Sequence, residues 1–108
     1  MIQIPFHPRH TDSIEAGKKR FTIRYDFSHR LQPGDIVQLV DENREAITEA
    51  EIILAAKSPG YYIAHWRFDG HCEYQNWIEL KNELDEYYPD ADVQATDDLT
   101  VIGWDPEV

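Results

Sequence analysis

The sequence predicts an α+β domain, namely a curled sheet or small barrel of about five or six strands with two helices. Three observations support this. The chain has 108 residues, the size of one domain, so residues 1–108 are taken as a single domain. Apolar residues make up 42% of it, which is enough for a core. Strand patterns also do not alternate strictly with helix patterns, as they would in a parallel α/β sheet.

The N-terminal segment predicts a short strand followed by a short helix. Ile2–Phe6 is an apolar strand candidate. Asp12 is followed three residues later by Glu15, which is a capping-box pattern. Gly17 then readily takes the left-handed conformation that ends a helix. The predicted helix therefore covers residues 11–17.

The clearest strand pattern is Phe21–Tyr25, in which apolar and polar residues alternate. This period of two predicts a half-buried strand, with Thr22 and Arg24 on the face opposite the apolar side chains.

The remaining elements follow from turn signals and periodicity. A Pro-Gly-Asp turn precedes two strands, the aromatic segment after them has no clear period, and Asn76 begins a helix with apolar residues at helical spacing. The predicted ranges are a turn at 33–35, strands at 36–40, 46–56 and 99–104, an irregular segment at 61–68, and a helix at 76–88.

Composition excludes several classes of protein. No apolar run approaches the ~18 residues of a membrane span, and the first residues lack the basic and apolar regions of a signal peptide. We therefore expect a cytoplasmic protein with no membrane partner. The single cysteine, Cys72, excludes an internal disulfide and favours a buried small residue. The scattered histidines and isolated glycines predict no metal site, no phosphate loop and no cofactor.

The charge is unevenly distributed. The whole chain carries −11, but the segment up to Pro33 carries +3 and the rest carries −14. A protein that binds long nucleic acid usually has a basic surface, so this chain favours a small or uncharged ligand over RNA. The acidity also has a simpler role in keeping the protein soluble.

One set of motifs resembles a known family. Ile14, Gly17 with Lys19, the Thr22–Arg24 strand, and Gly34-Asp35 follow one another in the order and spacing of the signature of ASCH domains. Each motif alone is weak evidence for this family, but their combined order and spacing are specific to it. ASCH domains have the PUA-like fold, and the predicted strands and helices fit it along nearly the whole chain.

Within this family the chain looks most like small bacterial enzymes that hydrolyse N(4)-acetylcytidine to cytidine and acetate. Their catalytic lysine, threonine and glutamate fall on Lys19, Thr22 and Glu73. The resemblance therefore implies an amidohydrolase with a modified nucleoside as its small-molecule substrate. Arg20 and Phe21 replace smaller residues that are usual in these enzymes, and the segment from Lys57 to Cys72 shows no convincing match. The resemblance therefore does not indicate which residues form the rim of the pocket.

The residue types also suit amide hydrolysis, which needs a nucleophile, a base and an acid for the leaving nitrogen. The Thr22 hydroxyl lies on the polar face of its strand, and Lys19, crowded by other cations, could act as the base. Glu73 comes shortly before a helix N-terminus, which can orient a carboxylate. Arg24 shares the face of Thr22 and could bind a carbonyl oxygen or orient Glu73. Thr22 could form an acyl intermediate, or Lys19 and Glu73 could activate water.

Each candidate also has an ordinary structural role. Threonine is a common strand residue, basic residues compensate the negative end of a helix, and Glu73 is one of 21 acidic residues. Two alternative functions stay open, an RNA-binding module of the PUA-like type and an ASCH-type ribonuclease. Aromatic side chains could stack a base or belong to the core; they are Tyr61, Tyr62, Trp66 and Phe68.

The amidohydrolase hypothesis makes a structural prediction. Lys19, Thr22 and Glu73 are expected to converge on one cleft between the sheet and the long helix, with Arg24 at its border. The sequence does not indicate an oligomeric state.

Overall fold

A computed structural model describes residues 1–64 and 76–105, which form an α+β domain with a five-stranded mixed sheet and short helices. This confirms the predicted fold class. No helix in these ranges has the length and apolar character needed to cross a membrane. The elements in chain order are β1 (Gln3–Pro5), a 3-10 turn (Pro8–His10), α1 (Thr11–Glu15), β2 (Phe21–Tyr25), β3 (Ile36–Val40), β4 (Ala46–Pro59), α2 (Gly60–Ile63), α3 (Trp77–Tyr87) and β5 (Asp98–Asp105).

The strand order in the described sheet is β1-β3-β4-β5-β2. β1 pairs with β3 in parallel, and the other neighbours are antiparallel. β4 has 14 residues and shifts register between Ile52 and Leu54, and it pairs with β3 along its first half and with β5 along its second. β1 and β2 are therefore the two edges of the sheet. The guanidinium of Arg24, on one edge, donates to the carbonyl of Pro5, on the other, at 2.6 Å.

The core consists of two apolar clusters on opposite faces of β5, because Ile102 and Trp104 belong to one and Leu99 and Val101 to the other. The apolar side chains of β2 pack against the second cluster, which α2 and α3 cover. Thr22 and Arg24 consequently point to the opposite face, as the alternation of β2 predicts.

The first helix begins at residue 11, as predicted, but its N-cap differs from the prediction. α1 begins at Thr11, so Asp12 lies inside the first turn and the N-cap is His10, whose side chain makes no capping hydrogen bond. The expected capping box with Asp12 as N-cap is therefore wrong. The reason is that the 3-10 turn runs directly into α1, and the Thr11 N–H donates to the Pro8 carbonyl.

The end of α1 agrees with the prediction at Gly17, which has a φ of +72°. The N–H groups of Gly17 and Lys18 donate to the carbonyls of Ile14 and Ser13 at 3.0 and 2.9 Å. This is the Schellman arrangement, which favours glycine at the left-handed position. It turns the chain towards β2 within a few residues.

The later helix and strands agree with the predicted elements, except in the region after β4. Asn76 caps α3 by accepting from the Glu79 N–H at 3.2 Å, as predicted. β4 continues to Pro59, because β5 supplies pairing partners up to Asp98. The segment expected to be irregular begins with one helical turn, α2. Residues 65–75, which include the predicted site residue Glu73, lie outside the described residues, as do residues 106–108.

Candidate active site

A cavity of about 340 Å³ lies where the two edges of the sheet approach α3. This volume is within the range of roughly 300–1,000 Å³ that is usual for small-molecule sites. The walls are formed by β2, the segment after β1, α3 and the loop between β3 and β4. The lining residues include three of the four predicted site residues, namely Lys19, Thr22 and Arg24.

Thr22 places a buried hydroxyl in this cavity, since the residue is only 7% exposed. It lies opposite Ile102 in the pairing of β2 with β5, which fixes the direction of its side chain. Its Oγ1 accepts a hydrogen bond from Nε of Arg24 at 3.2 Å. Because a guanidinium has no acceptor, the hydrogen of the Thr22 hydroxyl is directed to another group.

Lys19 reaches the cavity because of the turn that ends α1. The backbone N–H groups of Lys18 and Lys19 both donate to the Ser13 carbonyl, at 2.9 and 3.0 Å. Lys19 is half-buried and lines the cavity, whereas Lys18 is exposed and is not among the lining residues. The turn thus selects which of the two adjacent lysines faces the cavity.

Arg24 connects three parts of the structure. Beside its bonds to Thr22 and to the Pro5 carbonyl, its Cζ lies 4.7 Å from the centre of the Phe6 ring, within cation–π range. Burial lowers the pKa of Arg24, with smaller opposing contributions from two tyrosines. These contacts hold Arg24 against the protein; its predicted role in binding substrate stays a prediction.

The sequence predicted a cleft beside the long helix but did not identify the residues of α3 that line it. Leu80, Glu83, Leu84 and Tyr87 follow helical spacing on one face and all line the cavity. A signal was present, because Glu83 is a charged residue at a position of the apolar stripe of an amphipathic helix.

A second group of contacts joins the 3-10 turn to α3. The Tyr87 hydroxyl accepts from Nε of Arg9 at 3.0 Å and also from its Nη2, and Nη1 of Arg9 pairs with Glu86 at 2.9 Å. Nε2 of His10 lies 2.9 Å from the same hydroxyl. Since arginine only donates, the Tyr87 hydrogen goes to His10 Nε2, which then acts as an acceptor.

Solved structures resemble this chain. Two mutants of an ASCH protein from Zymomonas mobilis superimpose with TM-scores of 0.65 and 0.64, at 13% identity, over 95% and 94% of this chain and 67% and 65% of theirs. The ASCH domain from Lactobacillus crispatus has a TM-score of 0.59, at 13% identity, over 88% of this chain and 68% of its own. The chain has the ASCH fold. The predicted resemblance is thereby confirmed at the level of the fold, and the chain spans about two thirds of the length of these proteins.

The sequence itself gives no comparable match. Neither a comparison with protein-family models nor one with curated proteins finds a similar sequence.

The aromatic residues that line the cavity are not the ones that the sequence suggested. They are Phe6, Tyr87 and Tyr88. Tyr61 and Tyr62 are 45% and 58% exposed, and their ring centroids lie 4.9 Å apart in a tilted arrangement. They are therefore not core residues, and they are not among the residues that line this cavity. Trp66 and Phe68 lie outside the described residues, as do Cys72 and Glu73. Within 1–64 and 76–105, no group of three His, Cys, Asp or Glu residues could hold a metal ion.

We expect the stability of this protein to depend on pH through His10. Burial, reinforced by the nearby cations Lys19, Arg9, His7 and Arg24, lowers the pKa of His10 from 6.5 to about 4. Between these values the unfolded chain binds the proton and the folded chain does not. We therefore expect the free energy of unfolding to fall as the pH is lowered from about 6.5 to about 4.

The measurement is urea unfolding across this pH range. His10→Gln should show a shallower decrease than the wild type, because the variant lacks the titrating group. His29→Gln replaces an exposed histidine and is expected to keep the wild-type slope. Equal slopes for the wild type and His10→Gln would contradict the assignment.

Proposed function

We propose that this chain is an amidohydrolase that removes the acetyl group from N(4)-acetylcytidine, giving cytidine and acetate. The observation that carries the proposal is that Lys19 and Thr22 line one cavity of small-molecule size. The motif resemblance implies these two residues as catalytic. An amine and a buried hydroxyl in the same cavity are the groups needed for a base and a nucleophile.

If Thr22 is the nucleophile, the acetyl group is transferred twice, first to the Thr22 hydroxyl and then to water. Lys19, in its neutral form, accepts the hydroxyl proton while Oγ1 attacks the acetyl carbonyl. The tetrahedral intermediate then releases the cytosine nitrogen, which takes a proton as the C–N bond breaks, and water hydrolyses the acetyl ester of Thr22. In the alternative route Lys19 and Glu73 activate water directly, and no ester forms.

Arg24 assists the first of these routes through its hydrogen bond to Thr22. Its Nε donates to Oγ1, the atom on which negative charge develops as the proton leaves. A fixed cationic donor stabilises such charge more strongly than water does, because it needs no reorganisation. The resemblance implies that Glu73 is catalytic, and we further propose that it supplies the proton to the leaving nitrogen.

The charges around the cavity favour a neutral ligand. Its lining contains the cations Lys19 and Arg24 and the carboxylates Glu42 and Glu83. The chain as a whole carries −11, so a polyanion is repelled at long range, whereas an uncharged nucleoside is not. The aromatic walls supply surfaces on which a base can stack.

The test is incubation of the purified protein with N(4)-acetylcytidine and chromatographic detection of cytidine. We expect turnover that changes little with salt, because the substrate is uncharged. The same modified base within an RNA strand is expected to react poorly, most of all at low ionic strength. The RNA-directed alternatives are correct instead if folded protein shows no turnover of the nucleoside but binds RNA tightly and loses that binding with added salt.

A further inference from the structure

The Arg24 guanidinium is a half-buried cation whose described partners are uncharged. Its Nε donates to the Thr22 hydroxyl at 3.2 Å, its Nη2 donates to the Pro5 carbonyl at 2.6 Å, and the Phe6 ring centre lies 4.7 Å from Cζ. The ion pairs of the described residues join other groups and do not include Arg24. Moving a cation out of water is costly unless an anion compensates it. The surroundings of Arg24 therefore favour an anionic ligand.

Nη1 is the nitrogen of Arg24 that a ligand can reach. It makes no hydrogen bond with any described residue. It is also accessible, because the buried nitrogen that lacks a partner in the described part of the chain is Nε of Arg20. Arg24 lines the cavity, and the Phe6 ring covers one face of the guanidinium, so a ligand in the cavity meets its N–H edge. A guanidinium binds a carboxylate through this edge.

The proposed reaction produces a carboxylate beside this edge. Both of its routes end with acetate, which is ionised near neutral pH as other carboxylic acids are. In the route through Thr22, water adds to the acyl carbon, the ester C–O bond breaks, Oγ1 recovers a proton, and the acetic acid loses its proton to solvent. The carboxylate then lies next to the oxygen to which Arg24 donates. Since N(4)-acetylcytidine and cytidine are uncharged, acetate is the reaction species whose charge is complementary to Arg24.

We propose that Arg24 forms a carboxylate subsite that retains acetate after the C–N bond breaks, so that acetate is a competitive inhibitor of the enzyme. This inference rests on the proposed function for the identity of the anion. In the route through Thr22, cytidine leaves before the ester is hydrolysed, and acetate is the last product. A product that leaves last binds the same form of the enzyme as the substrate, and the inhibition is therefore competitive.

The experiment compares acetate with acetamide, which has nearly the same shape but no charge. Binding to the isotope-labelled protein is measured by NMR titration, and inhibition by initial rates with N(4)-acetylcytidine, both at constant ionic strength. We expect the wild type to bind acetate about 10- to 100-fold more tightly than acetamide, as for a hydrogen bond to a charged group. Added acetate should raise KM and leave kcat unchanged.

Two arginine variants locate the subsite. Arg24→Gln removes the charge but keeps a hydrogen-bond donor, so it should bind acetate and acetamide about equally. Arg30→Met replaces an exposed arginine and is the matched control, which should keep the wild-type preference for acetate. The NMR spectrum shows whether Arg24→Gln is folded. If it is not, the comparison of acetate with acetamide on the wild type still decides whether the subsite recognises charge.

The outcomes separate the subsite from the reaction. Equal binding of the two ligands by the wild type, a preference that survives in folded Arg24→Gln, or inhibition that is not competitive overturns the subsite, and turnover of N(4)-acetylcytidine then leaves the amidohydrolase proposal intact. Binding of acetate that depends on Arg24, without turnover, supports an anion subsite and rejects the reaction. Absence of both rejects both proposals.

Discussion

Replacing Lys19 by methionine is expected to lower kcat for deacetylation by about 10²- to 10⁴-fold, the range for loss of a positioned acid–base group. Methionine keeps most of the length and the apolar character of the lysine stem but has no amine to accept a proton. Thr22→Val keeps the shape of threonine and removes the hydroxyl, and it should reduce kcat at least as strongly if Oγ1 attacks the carbonyl. Both are measured as initial rates of cytidine formation at saturating N(4)-acetylcytidine.

Matched controls exist for both substitutions. Lys18→Met removes the same charge from an adjacent, exposed lysine, and Thr100→Val removes the hydroxyl of a threonine that is also 7% exposed but is not among the residues lining the cavity. Both controls should retain most of the activity. If Thr22→Val stays as active as Thr100→Val while Lys19→Met is inactive, water rather than Thr22 is the nucleophile.

Arg24→Met should affect both stability and catalysis. The part-buried Pro5 carbonyl loses this donor on the opposite edge of the sheet. A fully buried acceptor left without a partner costs about 1–3 kcal/mol of unfolding free energy, so we expect a loss towards the lower end of that range. The removal of a desolvated cation offsets part of this loss. The Thr22 hydroxyl also loses its fixed donor, so kcat should fall while KM changes less. Urea unfolding and steady-state kinetics measure the two effects.

Arg24→Lys distinguishes the geometry of the guanidinium from its charge. A lysine ammonium keeps the cation but cannot present the planar fork with which Arg24 reaches both acceptors. We expect a loss of kcat close to that of Arg24→Met. Arg30→Met replaces an exposed arginine and should resemble the wild type in both assays. Full activity of Arg24→Lys would show that charge alone is sufficient.

The parts of the structure that the sequence predicted are those determined by neighbouring residues. The alternation in β2, the left-handed Gly17 and the Asn76 cap all depend on side chains within a few positions of each other. These local patterns placed Thr22 and Arg24 on the correct face of the strand and located the turn before Lys19.

The contacts that complete the cavity join distant parts of the chain. Arg24 and Pro5 are 19 positions apart, and His10 and Tyr87 are 77 positions apart. No local pattern indicates such pairs, because they depend on how the sheet curls and where α3 packs. Glu83 was not predicted as a site residue either, although a charge beside the apolar residues of α3 is visible in the sequence.

The turn at Gly17 makes the site sensitive to the length of the segment between Lys19 and Thr22, in addition to the identity of these two residues. Hydrogen bonds to Ser13 fix Lys19 on the helix side, and pairing with β5 fixes Thr22 on the strand side. Only two residues separate these two fixed points. An insertion or deletion there would move the amine relative to the hydroxyl or disturb the pairing of β2, whereas a substitution leaves the spacing intact. The distance in sequence between glycine, lysine and threonine is therefore itself a geometric requirement of the site.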